Sequence, residues 1–381
     1  MRNNTILFVA GEVSGDLHGS NVLRALRAQH PDVDAFGIGG QRMAREGQEQ
    51  LYDINQMAII GFTEVIRHLP FLRRVFRHLE KEIARRKPAC ALLIDYPGFN
   101  LRLAKILRKY DIPVFWYIAP QVWAWHKSRI AQMAKLLRHL AVVFPFEVPL
   151  FEEAGLPTTF VGHPLLEVLS AEMSKERFYQ KYNIDADKQL LALLPGSRQQ
   201  EVSRLLPEML KTAQLLESQI DNLQVLIAQS PNLNTDLYED YLEQAPVQNY
   251  KLVQNATYSI MNYSKACIVA SGTATLETGC FSTPMAIVYR VSPLTYAIGK
   301  RLVKLENIGL VNIVAGETVV PEFVQDDFRS QHVAPYIKSM LTEPERAQKV
   351  SDKLTVVRAK LGEPGASRRV AQRIAEIAWP A

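Results

Sequence analysis

No stretch of the chain approaches the roughly 18 consecutive apolar residues that a membrane-spanning helix needs. The first apolar segment, Thr5–Ala10, runs for six residues before Gly11-Glu12 and Gly15-Asp16 interrupt it, too short for a secretory core. Cysteine is scarce, with three in 381 residues (Cys90, Cys267, Cys280) and no paired spacing. That excludes a disulfide framework and reads as small core residues in a reducing compartment, so Asn3-Asn4-Thr5 and Asn255-Ala256-Thr257 are not taken as glycan sites. Also missing are GxGxxG and a Walker loop, so neither a nicotinamide nor an ATP site finds support. Two DxD triplets, Asp32-Val33-Asp34 and Asp185-Ala186-Asp187, precede apolar runs rather than follow them. No metal and no other cofactor is expected.

What is present describes a globular chain, with 48% apolar and 22% charged residues. At 381 residues it exceeds the comfortable size of one hydrophobic core, which favours two domains. Short apolar runs recur at Ile6–Ala10, Ala91–Ile94, Val114–Ile118, Leu140–Phe144, Leu190–Leu194, Val225–Ala228, Ala266–Ala270 and Met285–Tyr289. Continuous runs of this length mark strands buried on both faces, as in parallel sheets covered by helices. Amphipathic stretches alternate with them at Gly19–Gln29, Phe71–Arg86, Leu101–Arg108, Ser128–Arg138, Glu201–Ile220 and Thr273–Gly279. The alternation lapses in the polar stretch Ser170–Lys188. The expected architecture is therefore α/β, with two Rossmann-like domains facing across a cleft. Residues 1–170 form the first, 171–350 the second, and 351–381 a helical tail. A single large sheet is the plainer alternative.

The net charge of +5 is unevenly placed. Between Glu64 and Pro88 eight Lys/Arg stand against three Glu, which alone equals the charge of the whole chain. Ile60 and Phe62 stand just before this segment, Val65, Leu69, Leu72 and Phe76 follow helical spacing within it, and Pro70 marks a start or a kink. A helix packed on the sheet is one reading. A wide apolar arc with a basic remainder is also the pattern of a segment that lies on lipid.

In an open parallel sheet, ligands bind beyond the carboxyl ends of the strands, so the residues after each run matter most. Gly11-Glu12-Val13-Ser14-Gly15-Asp16 follows the first run; a tight turn with Ser14 or Asp16 as cap explains it, except for Glu12. Asp95 opens Asp95-Tyr96-Pro97-Gly98-Phe99-Asn100 and is placed either as a general base or as a helix cap. Three of the four tryptophans, Trp116, Trp123 and Trp125, fall within ten residues, where Trp123 and Trp125 could meet a sugar or an acyl chain or be core. In the second half, Gly196, Ser197 and Arg198 open a helix whose amides and guanidinium suit an anion. Ser271, Gly272 and Thr273 repeat the arrangement, with Glu277 one turn further as an acceptor for ribose hydroxyls. Caps of this kind are common, and two such loops in one half-chain point to a nucleotide diphosphate.

Seven ordered blocks resemble the lipid-A-disaccharide synthase family: Val9–Asp16, Asp95–Asn100, Pro120–Trp125, Val161–Pro164, Pro195–Arg198, Ser271–Glu277 and Asn312–Gly316. Val13, Gln121 and His126 depart mildly from its commonest pattern. The resemblance implies a GT-B fold and transfer from UDP-2,3-diacylglucosamine to 2,3-diacylglucosamine 1-phosphate, with inversion and release of UDP. It implies a peripheral enzyme on the cytoplasmic face of the inner membrane of a Gram-negative cell, with no nucleic-acid partner, and leaves room for a homodimer. In that setting Asp95 takes the acceptor proton or orients the hydroxyl through a water, with Glu12 as the alternative base or as its support. Arg198, Ser197 and Asn312 hold the diphosphate, and Glu277 holds the ribose. As in related two-domain transferases, the stretch Ser367–Trp379 is expected to cross back to the first domain. The competing readings are a UDP-N-acetylglucosamine 2-epimerase-like isomerase or another UDP-sugar transferase on the same fold, and a non-catalytic ligand-binding protein.

Overall fold

The computed structural model describes residues 3–57, 62–120, 128–245, 247–292, 296 and 307–379, the side chains of 62–68 and 128 excepted. Their contacts separate into two units, Met1–Glu167 with Leu361–Ala381, and Val168–Lys360.

The first unit is built on a seven-stranded, all-parallel sheet in the order β3-β2-β1-β4-β5-β6-β7. Its strands are β1 (Thr5–Ala10), β2 (Asp34–Gly39), β3 (Glu49–Asp53), β4 (Cys90–Ile94), β5 (Val114–Tyr117), β6 (His139–Val142) and β7 (Thr158–Phe160). β4, reading Cys-Ala-Leu-Leu-Ile, is buried along its whole length, as a strand with helices on both faces must be. Order reverses between β1 and β4, which pair in register from Ile6–Cys90 to Ala10–Ile94. One face is covered by a core containing Leu7, Val9, Leu93 and Trp116, against which Val75, Leu79 and Ile83 of the helix Phe62–Arg86 are packed. That helix runs through Pro70, which neither starts nor ends it.

The chain returns to this unit at its end. The helix Ala366–Ala378 buries Val370, Ala371 and Ile374 and lies against the helix Val13–Gln29. Each buried Val or Ile contributes about 1.5–3 kcal/mol. Polar contacts fix its ends. The Ser367 amide and hydroxyl both donate to Glu167 at 2.7 Å, and the Trp379 indole donates to the Asn3 carbonyl at 2.9 Å.

The second unit repeats the plan with six parallel strands in the order β10-β9-β8-β11-β12-β13. They are β8 (Gln189–Leu194), β9 (Leu223–Gln229), β10 (Tyr250–Gln254), β11 (Ala266–Ala270), β12 (Met285–Tyr289) and β13 (Glu322–Val324). Here the order reverses between β8 and β11. Leu205, Leu206, Met209 and Leu210 of the helix Gln199–Glu217 pack on one face of the sheet. All three cysteines are buried and free.

Candidate active site

Doubly wound sheets bind ligands where strand order reverses, beyond the carboxyl ends of the two central strands. In the first unit those ends deliver Gly11-Glu12 after β1 and Asp95-Tyr96 after β4. In the second they deliver Gly196-Ser197-Arg198 after β8 and Ser271-Gly272-Thr273 after β11. The loops singled out in sequence thus stand at both reversal points.

The Asp95 turn is strained. Asp95 and Tyr96 both adopt left-handed backbone, at φ 44° and 50°. Aspartate tolerates that conformation, but a tyrosine there costs of order 1–3 kcal/mol and persists only when its surroundings hold it. They do. The Tyr96 ring stacks on Phe99 at 5.7 Å, Phe99 stacks on Phe76 at 4.4 Å, and the Tyr96 hydroxyl donates to the Met57 carbonyl at 3.3 Å. A Cβ on Gly11 would sit 2.3 Å from the Tyr96 ring, so only glycine lets these two loops meet. The Asn100 amide donates to the Asp95 and Ile94 carbonyls at 2.7 and 3.2 Å, and Pro97 begins the following helix.

The result is a largely buried carboxyl group held above its ordinary value. Burial, and next the nearby Glu12 carboxylate, push Asp95 up to about 6, against a modest opposing hydrogen bond from the Tyr96 backbone. Helix capping is not its task, since the helix Pro97–Lys109 has no side-chain cap. Glu12 is exposed and makes no cap bond either. Asp16, read as a cap for its own helix, instead accepts from the amides of Gly40, Arg42 and Met43 at 2.7, 3.1 and 3.1 Å, tying down a different helix, Gln41–Arg45.

In the second unit, Gly196, Ser197, Arg198, Ser271, Gly272 and Thr273 all line one cavity of about 380 Å³, and Glu277 lines it too. Small-molecule sites typically occupy a few hundred cubic ångströms. Gly196 (φ 107°) and Gly272 (φ 153°) have backbone that side chains rarely adopt. Glu201 was not anticipated. Its Oε2 accepts from the amides of Ser197 and Arg198 at 3.1 and 3.3 Å, and its Oε1 pairs with the Arg198 guanidinium at 3.0 Å. These amides were expected to cradle an anion, and here the protein's own carboxylate satisfies them. The Arg198 side chain, 82% exposed, stays reachable by a ligand. A Glu three residues after the cap was the legible signal for this arrangement.

Asn312 is corrected from a diphosphate ligand to a structural strut. It is fully buried; its Nδ2 donates to the Val320 carbonyl and to Glu322, both at 2.8 Å. Its Oδ1 accepts from the amides of Val319 and Val320 at 2.9 and 3.1 Å, which leaves no polar atom for a ligand. The lipid-facing set is also revised in part. Leu72 and Phe76 pack half-buried on the first unit's core, and Leu69 is exposed at 37%. Ile60, Trp123 and Trp125, with Gln121 and His126, lie outside the described residues, as do the side chains of Phe62 and Val65. Arg73, Arg74, Arg77 and Lys81 form an exposed basic face with no ion pair among the described residues. Among the described residues no helix is long and apolar enough to cross a membrane, and no group of three His, Cys, Asp or Glu could hold a metal ion.

Solved structures share this architecture at low identity, which bears on the fold alone. A UDP-N-acetylglucosamine 2-epimerase from Neisseria meningitidis bound to UDP-N-acetylglucosamine matches with a TM-score of 0.65 and 13% identity, over 98% of this chain and 99% of that one. The calicheamicin glycosyltransferase CalG4 matches with a TM-score of 0.62 and 13% identity, over the full length of both. Two parallel sheets with helices place the chain in the GT-B class shared by glycosyltransferases and nucleotide-sugar epimerases. Sequence narrows the class. The family profile described as lipid-A-disaccharide synthetase matches residues 6–377. Lipid-A-disaccharide synthases from Syntrophus aciditrophicus and Geobacter sulfurreducens are 42% and 41% identical, over 97% of both chains and 99% of both chains respectively. One from Coxiella burnetii is 35% identical over 98% of both. The chain belongs to the lipid-A-disaccharide synthase family and is a glycosyltransferase.

Proposed function

We propose that the protein joins UDP-2,3-diacylglucosamine to 2,3-diacylglucosamine 1-phosphate by direct displacement at the anomeric carbon. The observation that carries the residue assignment is the pairing of reversal points: a raised carboxyl group at β1/β4, and a loop-lined cavity at β8/β11. The acceptor 6-hydroxyl gives its proton to Asp95, its oxygen bonds to the anomeric carbon, and the bond from that carbon to the diphosphate oxygen breaks with inversion. UDP leaves with both electrons of that bond. Arg198 neutralises charge on the departing diphosphate, helped by the amide end of the helix that follows β11. Ser197, Ser271 and Thr273 supply hydroxyls, Gly196 and Gly272 let backbone approach, and Glu277 accepts from the ribose. Glu12 raises the basicity of Asp95 and meets the acceptor.

Acyl chains would be received by the segment Ile60–Leu69, with Trp123 and Trp125. The exposed arginines of the helix Phe62–Arg86 suit anionic lipid at the cytoplasmic face of the inner membrane. Co-sedimentation with anionic vesicles should fall several-fold in an R73E/R74E/R77E variant; unchanged binding would remove this part of the proposal. The decisive assay is UDP release in detergent and EDTA, with and without the acceptor. Acceptor-dependent release supports the transfer and its independence from divalent metal. Turnover of UDP-N-acetylglucosamine in its place would overturn the lipid substrates.

A further inference from the structure

Resting on the assignment of Glu277 to the ribose, we infer that Tyr258 is a positioning residue that commits one oxygen of Glu277 to the protein and leaves the other for the nucleotide, so that it sets the preference for ribose over deoxyribose. Glu277 lines the nucleotide cavity and Tyr258 does not. The Tyr258 hydroxyl, from the helix Thr257–Tyr263, donates to Glu277 Oε1 at 3.0 Å. No protein donor reaches Oε2 among the described residues. A carboxylate rotating freely would present either oxygen; one held by a phenol presents a single acceptor in a fixed direction, which a 2′-hydroxyl meets and a 2′-deoxy sugar cannot.

The phenol is itself anchored. The helix Thr257–Tyr263 lacks a side-chain cap of its own. Glu172, 86 residues away in sequence, takes that place: its Oε1 accepts from the Tyr258 amide at 3.0 Å, and its Oε2 accepts from the Ser259 amide and hydroxyl, both at 2.7 Å. The Tyr258 ring lies 5.8 Å from Phe281. Burial raises the Glu277 carboxyl above its ordinary value, and the Tyr258 hydrogen bond opposes that rise. The other titratable or charged groups around the pair are Glu172, Cys280 on the helix of Glu277, and Arg358, whose guanidinium donates to the Cys280 carbonyl at 3.1 Å. Removing the phenol hydroxyl therefore leaves Glu277 less aimed and more readily protonated.

The test is calorimetric titration of the full chain with UDP and with 2′-deoxy-UDP, between pH 6 and 8. A hydrogen bond to a charged group implies a preference for UDP of about 10-fold or more in the wild-type protein. In Tyr258→Phe the ratio should fall by about 5-fold, through weaker UDP binding, and fall further as pH drops. Glu172→Ala, which keeps the phenol but loosens its helix, should lower the ratio too and serves if Tyr258→Phe does not fold. A wild-type ratio in the variant that folds, with Glu277→Gln abolishing the preference, overturns the role of Tyr258 while the ribose assignment stands. No preference in the wild type, with UDP affinity unchanged in Glu277→Gln, overturns the ribose assignment itself and the inference with it.

Discussion

Replacing Asp95 by asparagine should move turnover and stability in opposite directions. The carboxyl is raised from 3.8 to about 6, chiefly by burial and secondarily by Glu12. At neutral pH the folded protein therefore carries an ionised group that the unfolded chain would hold more comfortably. A shift of that size corresponds to about 3 kcal/mol, an upper figure because the side chain keeps some contact with water. Asparagine is nearly isosteric, carries no charge, and accepts the left-handed backbone that Asp95 adopts at φ 44°. The sign follows from linkage. The destabilisation by the ionised group is fully present above the folded value near 6 and disappears below the unfolded value near 4. Asp95→Asn should thus raise the melting temperature by several degrees at pH 8, at about 2–4 °C per kcal/mol for a unit of this size, and by little at pH 4. Turnover should fall by about 10²–10⁴-fold, as for loss of a general base. In the wild type, activity should decline as pH falls through about 6, the value at which Asp95 gains its proton. Thermal melts across pH, paired with UDP-release assays, read both effects. A variant less stable than wild type at pH 8, or equally stabilised at pH 4 and pH 8, would refute the argument from burial and charge.

Three further outcomes follow from the same geometry. Arg198→Ala should lower kcat/KM by on the order of 10²-fold, measured as initial rates of UDP release, because its guanidinium is an exposed cation lining the cavity proposed for UDP. Asn312→Ala should act mainly on stability, since it orphans the half-buried Val319 amide and the buried Val320 amide and carbonyl; a cost of about 3 kcal/mol in urea unfolding is expected, and a variant of normal stability with poor UDP binding would restore a direct ligand role. Gly11→Ala should depress activity and stability together, by about 1–3 kcal/mol for the latter, because its Cβ meets the Tyr96 ring beside Asp95; normal turnover would show that the turn can shift without harm.

Much of this arrangement was legible before any coordinates. The buried central strands announce themselves as continuous apolar runs, so β1, β4, β5, β6, β8, β9, β11 and β12 were all anticipated within a residue or two. The strands that escaped are of another kind. β3, β7, β10 and β13 sit at sheet edges or next to them, where Glu49, Lys251 and Glu322 are tolerated and no apolar run is needed; β2 is interrupted by Gly37 and Gly39. Pro70 was read as a start or a kink, and it is not a start: the helix runs from Phe62 to Arg86 through it, with its later turns buried through Val75, Leu79 and Ile83. The apolar spacing of that helix was read correctly, but periodicity does not say whether a stripe meets lipid or a sheet. From Phe71 onward it meets the sheet.

The sequence by itself determined the fold class, the family, and the four loops that follow the reversal-point strands, because each of these is encoded by contiguous residues. The tertiary structure alone decided what those loops' side chains do. Asn312 lies beside recognisable motif residues, yet its bonds to Val319, Val320 and Glu322 make it a strut. The raised carboxyl of Asp95 depends on burial and on Glu12, 83 positions earlier, and the Glu277 carboxylate accepts from Tyr258, whose backbone amide Glu172 holds from yet another segment. A charge's environment and a hydrogen bond's direction are sums over residues distant in sequence, and only folding brings those residues together.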